Sequence, residues 1–481
     1  MESSKLVKFL ADITPKERER FRQFVISPYI NQHEKTTELM KIILDAIDRG
    51  TEKSLDKCKV FKKLFPGVKY DEQQLHNIMS YLKKLYHKFL AYEMFEQSDF
   101  QEELFALEAA FESNQFDLLK NRGKQLEKTL ERHPHRDYKL FYANYKLNSL
   151  LAYYAGHYED RSKSENFQQM LDNLDRFYLA EKLRHCCHLT ANMMMMNTHY
   201  NFRLLDDILE HIRENWAEFQ EVNAVIVYYT ILMSLREDNN PEHYQTLKVI
   251  LDTKIDSLSH TEQADLYTFL TNHCIRQINL GANDYHRELF QLYKLGLRTG
   301  LLLDHGLLSE WNFKNITVLG CSLKEYEWTE QFIIDYKDKL PAKHRDNAYN
   351  YNLAHLYFNK KMYNEALDAL LLVQFTDVKY HLNTTFLLLR TYYELRDTEA
   401  LLSLIETFRI YVIRSQKIST DQKRGYTNFL RFAKRLVMLK HQSYTYSKQN
   451  LKDKLSDLHQ KIDQTKNVIN KFWLLEECAA A

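Results

Sequence analysis

Leu319, Leu353 and Leu387 fall at a common interval of about 34 residues. Other columns keep the same step: Gly320, Ala354 and Leu388; Phe332, Ala366 and Ala400; Ile333, Leu367 and Leu401; Tyr336, Leu370 and Leu404. A repeat of this length is too short to bury its own apolar face, so it must stack on its neighbours. The composition narrows what kind of unit is stacked. Ten glycines and six prolines in 481 residues compare with roughly 34 and 24 at average usage. Sandwiches and barrels draw heavily on both residues for their turns. Rossmann-like folds need glycine in their phosphate loops. Helices joined by short polar connections need neither, and the expected fold class is all-α.

Leu353-Ala354-His355-Leu356-Tyr357 followed by Tyr363-Asn364-Glu365-Ala366-Leu367 resembles the tetratricopeptide-repeat (TPR) family, with its Leu-small-x-x-Tyr first helix and small residue in the second. Leu319-Gly320 matches the start of the preceding repeat, and Pro341 stands where the family often ends one. The sequence departs from the pattern at Phe332, Leu388 and Thr391. The match covers about 310–415 and is clearest over 313–415. The resemblance implies a right-handed α-solenoid of paired helices. Small residues let the backbones approach, and Leu and Tyr fill the grooves between repeats.

Around this region the chain reads as three parts. Residues 1–95 are expected to form an N-terminal helical unit. Thr14-Pro15-Lys16-Glu17 is a helix start of N-cap, proline and first-turn acid. That helix runs to Ser27-Pro28, Gly50 closes the next, and Asp71 caps a long one carrying Leu75, Ile78, Leu82, Leu85 and Phe89 on one stripe. Residues 96–441 read as helix after helix, joined at Asn239-Asn240-Pro241, Gly281-Ala282-Asn283-Asp284, Leu340-Pro341-Ala342 and Arg396-Asp397. Residues 445–477 read as one C-terminal helix. Its seam, Leu451, Leu455, Leu458, Ile462, Thr465, Ile469 and Phe472, suits either a cap on the solenoid or a short coiled coil.

The formal net charge is +1, so the molecule as a whole is no polyanion binder. No stretch is long and apolar enough for a membrane span, and the first residues lack the apolar core of a secretory signal. Cys58, Cys186, Cys187, Cys274, Cys321 and Cys478 follow no disulfide framework, which suits a reducing cytoplasm. There is no G-x-S-x-G, G-x-x-x-x-G-K-[ST], G-x-G-x-x-G or H-E-x-x-H, so no enzyme activity and no cofactor are expected. His185-Cys186-Cys187-His188 offers zinc-type ligands, but adjacent residues on a helix point about 100° apart and no second pair stands nearby, so no metal is expected. Met193 to Met196 wraps fully around a helix and suggests one buried on several sides.

Two surfaces could carry function. In the TPR family certain first-helix positions face the concave side. Carried onto this sequence they are Lys314, Thr317 and Cys321; Tyr351, His355 and Phe358; and Thr385, Leu389 and Tyr392. The family's carboxylate-clamp type needs Lys, Asn and Arg at such places, and only Lys314 fits. What remains is an aromatic, mildly polar groove suited to a peptide or protein partner, tyrosine being a frequent hot-spot residue. The second surface is basic. Residues 401–441 carry a local net of +7, with Arg409 and Arg414 on one helix, and Arg424, Arg431 and Arg435 on one face of the next, interleaved with Tyr426, Phe429 and Phe432. Together with the lysines of 57–88, it could hold phosphates and stack bases, or form a plain solvated face. The leading expectation is a non-catalytic protein–protein interaction scaffold, with no membrane association. The alternative is a nucleic-acid-associated regulator using residues 57–88 and 409–440, with the solenoid as sensor. The oligomeric state is open.

Overall fold

A computed structural model describes residues 4–158, 165–196, 198–237, 240–374 and 378–479. They are helical almost throughout. The one strand pair among the described residues is a two-residue hairpin, Leu303–Asp304 with Leu307–Leu308, which turns on the positive φ angles of His305 and Gly306. The all-α expectation holds. No helix among the described residues is long and apolar enough to cross a membrane. The chain forms two compact units, residues 1–228 and 229–481.

The first unit opens with helices Lys5–Asp12, Pro15–Ile26, Glu34–Asp48, Lys57–Leu64 and Glu72–Glu96. The start signals act as their chemistry dictates. Thr14 and Glu17 form a reciprocal capping box with Pro15 at the first helical position. Asp71 accepts from the backbone N–H groups of Gln73 and Gln74. Around the core of Leu39, Met40, Ile43, Leu44, Phe61 and Leu82, Phe21 meets Tyr86 and Phe24 meets Phe89 edge to face, while Phe21 and Phe89 pack tilted. The next helix, Gln101–Glu112, packs on Glu72–Glu96, with Phe95 stacked on Phe105 at 5.8 Å.

Further along this unit, Gln101–Glu112 pairs with Phe116–Arg132, and Tyr138–Tyr158 pairs with the long helix Glu165–Met196. Met193 to Met196 form the last turn of that helix. Met194 and Met196 are 49% and 67% exposed, so the expectation of burial on several sides fails at the helix end. The side chain of Met195 lies outside the described residues.

The second unit is a run of helix pairs: His260–Asn279 with Tyr285–Thr299, Glu310–Ser322 with Tyr326–Asp335, Arg345–Asn359 with Tyr363–Leu371, and Val378–Glu394 with Thr398–Arg414. From Glu310 onward each first helix also packs on the first helix of the next pair. Small residues stand at the crossings. Ala354 and Ala366 are fully buried, and a Cβ on Gly320 would run into the Thr329 hydroxyl of the partner helix.

Four of these pairs, and the pair at Gln101–Arg132, share one corner. A residue in the left-handed region follows the first helix: Asn114, Gly281, Lys324, Lys361 and Arg396, with φ of 56°, 95°, 61°, 63° and 59°. The next N–H reaches back five residues: Gln115 to Ala110 (2.8 Å), Ala282 to Gln277 (3.0 Å), Glu325 to Gly320 (2.9 Å), Met362 to Tyr357 (2.9 Å) and Asp397 to Tyr392 (3.0 Å). This is the Schellman closure, which satisfies the last carbonyls of a helix and reverses the chain. Of the other expected connections, Asn240 caps the helix Pro241–Lys254, whereas Asn239 lies outside the described residues.

The expected single helix over 445–477 is two, Lys448–Gln464 and Lys471–Ala479. The break is built by hydrogen bonds to the helix Thr420–His441. The Asn467 amide donates to the Asp421 carbonyl (2.9 Å) and carboxylate (2.8 Å), Asn428 donates to the Asn467 carbonyl (2.8 Å), and the Ile469 N–H donates to the Gly425 carbonyl (3.3 Å). Only glycine permits this approach, since a Cβ at 425 would lie 2.6 Å from Asn467 Oδ1 and 3.0 Å from Ile469 Cγ1. Leu455, Leu458 and Ile462 of the supposed seam are buried with Phe408, Phe429 and Leu436 of the same chain, while Phe472 is 73% exposed.

Candidate functional site

The residues assigned to the concave face lie on three successive first helices, Glu310–Ser322, Arg345–Asn359 and Val378–Glu394. The structure brings several of them together. The Lys314 ammonium lies 5.6 Å from the centre of the Tyr351 ring, which meets Tyr380 at 6.5 Å. Tyr380 donates to Glu310 at 3.0 Å. Beside them is a cavity of about 10 Å³, room for no more than a water, whose wall includes Asn352 and Asn383.

The face is less open than its period implied. Thr317, Tyr351, Phe358 and Thr385 are buried, at 0%, 7%, 8% and 1% exposure. Thr317 turns its hydroxyl back to the Phe313 carbonyl at 3.0 Å. Burial pushes the Tyr351 phenol up to about 12. These four are packing residues, filled in by the neighbouring helices, and cannot meet a ligand directly. Lys314, His355 and Tyr392 are only half-buried. His355 keeps some solvent contact, but its surroundings are crowded. Burial, then the charges of Arg390 and Lys314, hold its imidazole down at about 4, so it is neutral near pH 7. The Asn359 amide lies 3.2 Å from His355 Nδ1.

The sequence reading missed the residue at the centre of this region. Arg390 spreads its guanidinium 4.7 Å over the Phe358 ring and 5.8 Å from the ring of Trp473 on the terminal helix. Its Nε has no hydrogen-bond partner among the described residues. Burial pushes its pKa below the usual arginine range, against the pull of Glu394, Glu477 and Glu476. One signal was present. Arg390 is the only charge in the run Phe386-Leu387-Leu388-Leu389-Arg390-Thr391-Tyr392-Tyr393, and a lone charge in such a run marks a buried cation.

Beyond Arg390 lies an open cleft of about 620 Å³, lined by Tyr392, Tyr393, Glu394, Arg396, Lys440 and Glu477 among others. Lys440 donates to Tyr393 Oη at 2.5 Å and to Glu477 at 3.0 Å, and Tyr393 donates to Glu477 at 2.5 Å.

The basic surface is partly neutralised. Glu406 takes both Arg409 (3.1 Å) and Lys434 (2.6 Å), and Asp457 takes Arg435 (3.3 Å). The Arg431 guanidinium lies 4.7 Å over Phe432. Arg414 and Arg424 are exposed. Tyr426 is half-buried, and Phe429 and Phe432 are buried, so these rings are not free to stack bases. In the first unit, Lys57 pairs with Glu72 at 2.5 Å, while Lys84, His87 and Lys88 face solvent.

His185-Cys186-Cys187-His188 splits as helical spacing requires. Both histidines are exposed and both cysteines buried, with Cys187 donating to the Tyr228 carbonyl at 3.1 Å. Among the described residues no group of three His, Cys, Asp or Glu side chains could hold a metal. Cys274 Sγ lies 3.2 Å from the Tyr244 hydroxyl. Burial pushes the thiol up to about 11, the opposite of an activated nucleophile.

Compared with known proteins, the chain matches no protein-family model, no curated protein and no solved structure.

Proposed function

We propose that this protein is a non-catalytic interaction scaffold, a TPR-like right-handed stack of helix pairs whose inner helices bind a peptide or protein partner. The observation that carries it is the succession of first helices, Glu310–Ser322 on Arg345–Asn359 on Val378–Glu394. These helices carry Lys314, His355, Arg390 and Tyr392, the last of which lines a cleft of about 620 Å³. Rigid paired helices presenting half-buried aromatic and cationic side chains suit an extended or helical ligand, because little entropy is lost on binding. The recurrent Schellman corner and the small residues at the crossings support the TPR-like arrangement. Six free cysteines, five of them buried, fit a protein of the reducing cytoplasm.

The test is affinity purification of the tagged full chain from its native cytosol, with and without nuclease, beside Lys314→Glu and Tyr392→Ala variants matched for melting temperature. Protein partners that survive nuclease and are lost from both variants support the scaffold. Recovery of nucleic acid alone, or of the same partners with all three proteins, sinks it.

A further inference from the structure

The terminal helix Lys471–Ala479 occupies the end of the inner face as a ligand would. Its aromatic anchor, Trp473, meets Tyr393 edge to face at 5.2 Å and Phe429 at 6.0 Å, and lies beside the Arg390 guanidinium. One turn later Glu477 takes Lys440 and the Tyr393 hydroxyl. On a helix, positions four apart share a face, so ring and carboxylate are delivered together.

Two features set this helix apart from a plain cap. First, it is short. It has nine residues, of which only Leu474 and Cys478 are fully buried while Trp473 and Leu475 pack partly buried against the core, and it follows the non-helical break at Thr465–Asn470. A helix of this length is marginal without its packing contacts. Second, it leaves the cation beneath it incomplete. Glu394, Glu476 and Glu477 are all close enough to act on Arg390, yet none forms an ion pair with it, and its Nε is unpartnered among the described residues. Glu477 is committed to Lys440 and Tyr393 instead. A charge taken out of water costs free energy unless it is paired, so a ligand that brings a second carboxylate to Arg390 has an advantage over the resident helix.

We infer that the surface beneath the terminal helix, formed by Arg390, Tyr393, Phe429 and Lys440, is a docking site for a helix of another protein that carries an aromatic residue and acidic side chains, and that the terminal helix is its built-in competitor. This rests on the scaffold reading and gives its partner a chemistry. The docked helix places its ring where Trp473 lies, one carboxylate on Lys440 one turn later, and another on Arg390.

The probe is a fluorescein-labelled peptide of residues 468–479, with C478S to prevent disulfides, beside the same peptide carrying E476K and E477K. Binding is read by anisotropy on the full-length wild type and on a full-length Trp473→Ala/Leu474→Ser variant. The expected result is binding to the variant at least tenfold tighter than to the wild type, lost with the charge-swapped peptide and lost on adding Lys440→Gln. Equal binding by variant and wild type, with the variant's melting transition intact, overturns the inference. If the variant does not fold, the wild type decides. Excess unlabelled peptide should speed alkylation of its buried Cys478 several-fold, and an unchanged rate overturns the inference. A variant that dimerises by light scattering and releases monomer on adding peptide identifies a second copy as the occupant, which also overturns it. Failure here leaves the scaffold intact if cytosolic partners still depend on Lys314 and Tyr392. Peptide binding without any such partner sinks the scaffold alone.

Discussion

Replacing Gly320 by alanine puts the stacking of helix pairs to a quantitative test. Gly320 lies inside Glu310–Ser322, where alanine should be the better helix former by about 1 kcal/mol. Propensity alone therefore predicts stabilisation. The packing predicts the reverse. A Cβ at 320 would collide with the Thr329 hydroxyl and stand 3.4 Å from both Thr329 Cβ and Phe290 Cε2. Thr329 cannot swing away cheaply, being fully buried with its hydroxyl bonded to the Glu325 carbonyl at 2.7 Å. Overpacking a filled site costs about 1–3 kcal/mol, so the net loss is up to about 2 kcal/mol. Two compact units will not unfold in one step, so the assay is native-state hydrogen exchange of amides in Glu310–Ser322 and Tyr326–Asp335. Protection should fall by up to roughly thirtyfold, since about 1.4 kcal/mol is tenfold. In a Thr329→Ala background the same substitution should become neutral or stabilising, a coupling of about 1–3 kcal/mol. Increased protection from Gly320→Ala in both backgrounds would refute the close approach.

Other outcomes follow from the same coordinates. His355 has its pKa lowered from 6.5 to about 4, so below pH 6.5 the unfolded chain takes up a proton that the native imidazole refuses. Stability from this group is complete above about pH 6.5 and is lost as pH falls toward 4, by at most about 3 kcal/mol. Melting curves of His355→Gln should be flatter than wild type across that window, and equal slopes would count against the buried neutral imidazole. At the corner, Lys361→Gly removes a left-handed lysine and should stabilise the second unit by about 0.5–1 kcal/mol, whereas Gly281→Ala should destabilise it by about 1 kcal/mol; a melting shift of opposite sign at either position argues against the corner. Asp71→Ala removes the acceptor for Gln73 and Gln74 and should cost about 1 kcal/mol, read as faster exchange in the first turn of Glu72–Glu96. Native alkylation at pH 8 should modify exposed Cys58 at least tenfold faster than Cys186, Cys274, Cys321 or Cys478, whose thiols burial pushes up. Peptide mass mapping checks this, and comparable rates would contradict the burial.

Local chemistry was the most legible part of this fold. Thr14, Pro15 and Glu17 state a helix start, Gly50 a stop and Asp71 a cap, because each acts on backbone groups within four residues of itself. The all-α class was legible for a similar reason, in that turns needing glycine and proline had little of either. The site was harder to read. A helical period tells which residues share a face, but not what covers it. Tyr351, Phe358 and Thr385 share the anticipated face and are buried because Tyr380, Arg390 and neighbouring helices fill the space. Likewise, the seam through Leu455, Leu458 and Ile462 was read correctly as apolar. Its break at Thr465 depends on Asn467, Asp421, Asn428 and Gly425, residues up to 46 positions apart that no local pattern connects.

The corners explain why the interval of about 34 residues is visible in one stretch and not elsewhere. The same closure ends helices at Asn114 and Gly281, outside the region where the columns align, and at Lys324, Lys361 and Arg396 within it. Only one of these five residues is glycine, so the left-handed conformation is not chosen by the residue that occupies it. A lysine or arginine there bears roughly 1–2 kcal/mol of strain, and the two backbone hydrogen bonds of the closure together with the packing of the paired helices must offset it. A corner held mainly by its neighbours constrains the shape of the chain far more than its letters. An apolar stripe on each helix and room at the crossing suffice, and many sequences meet those terms. Small residues at fixed spacing appear where the crossing is tight, as at Gly320, Ala354 and Ala366. The register can therefore fade from the sequence while the pairing that it once marked persists in the structure.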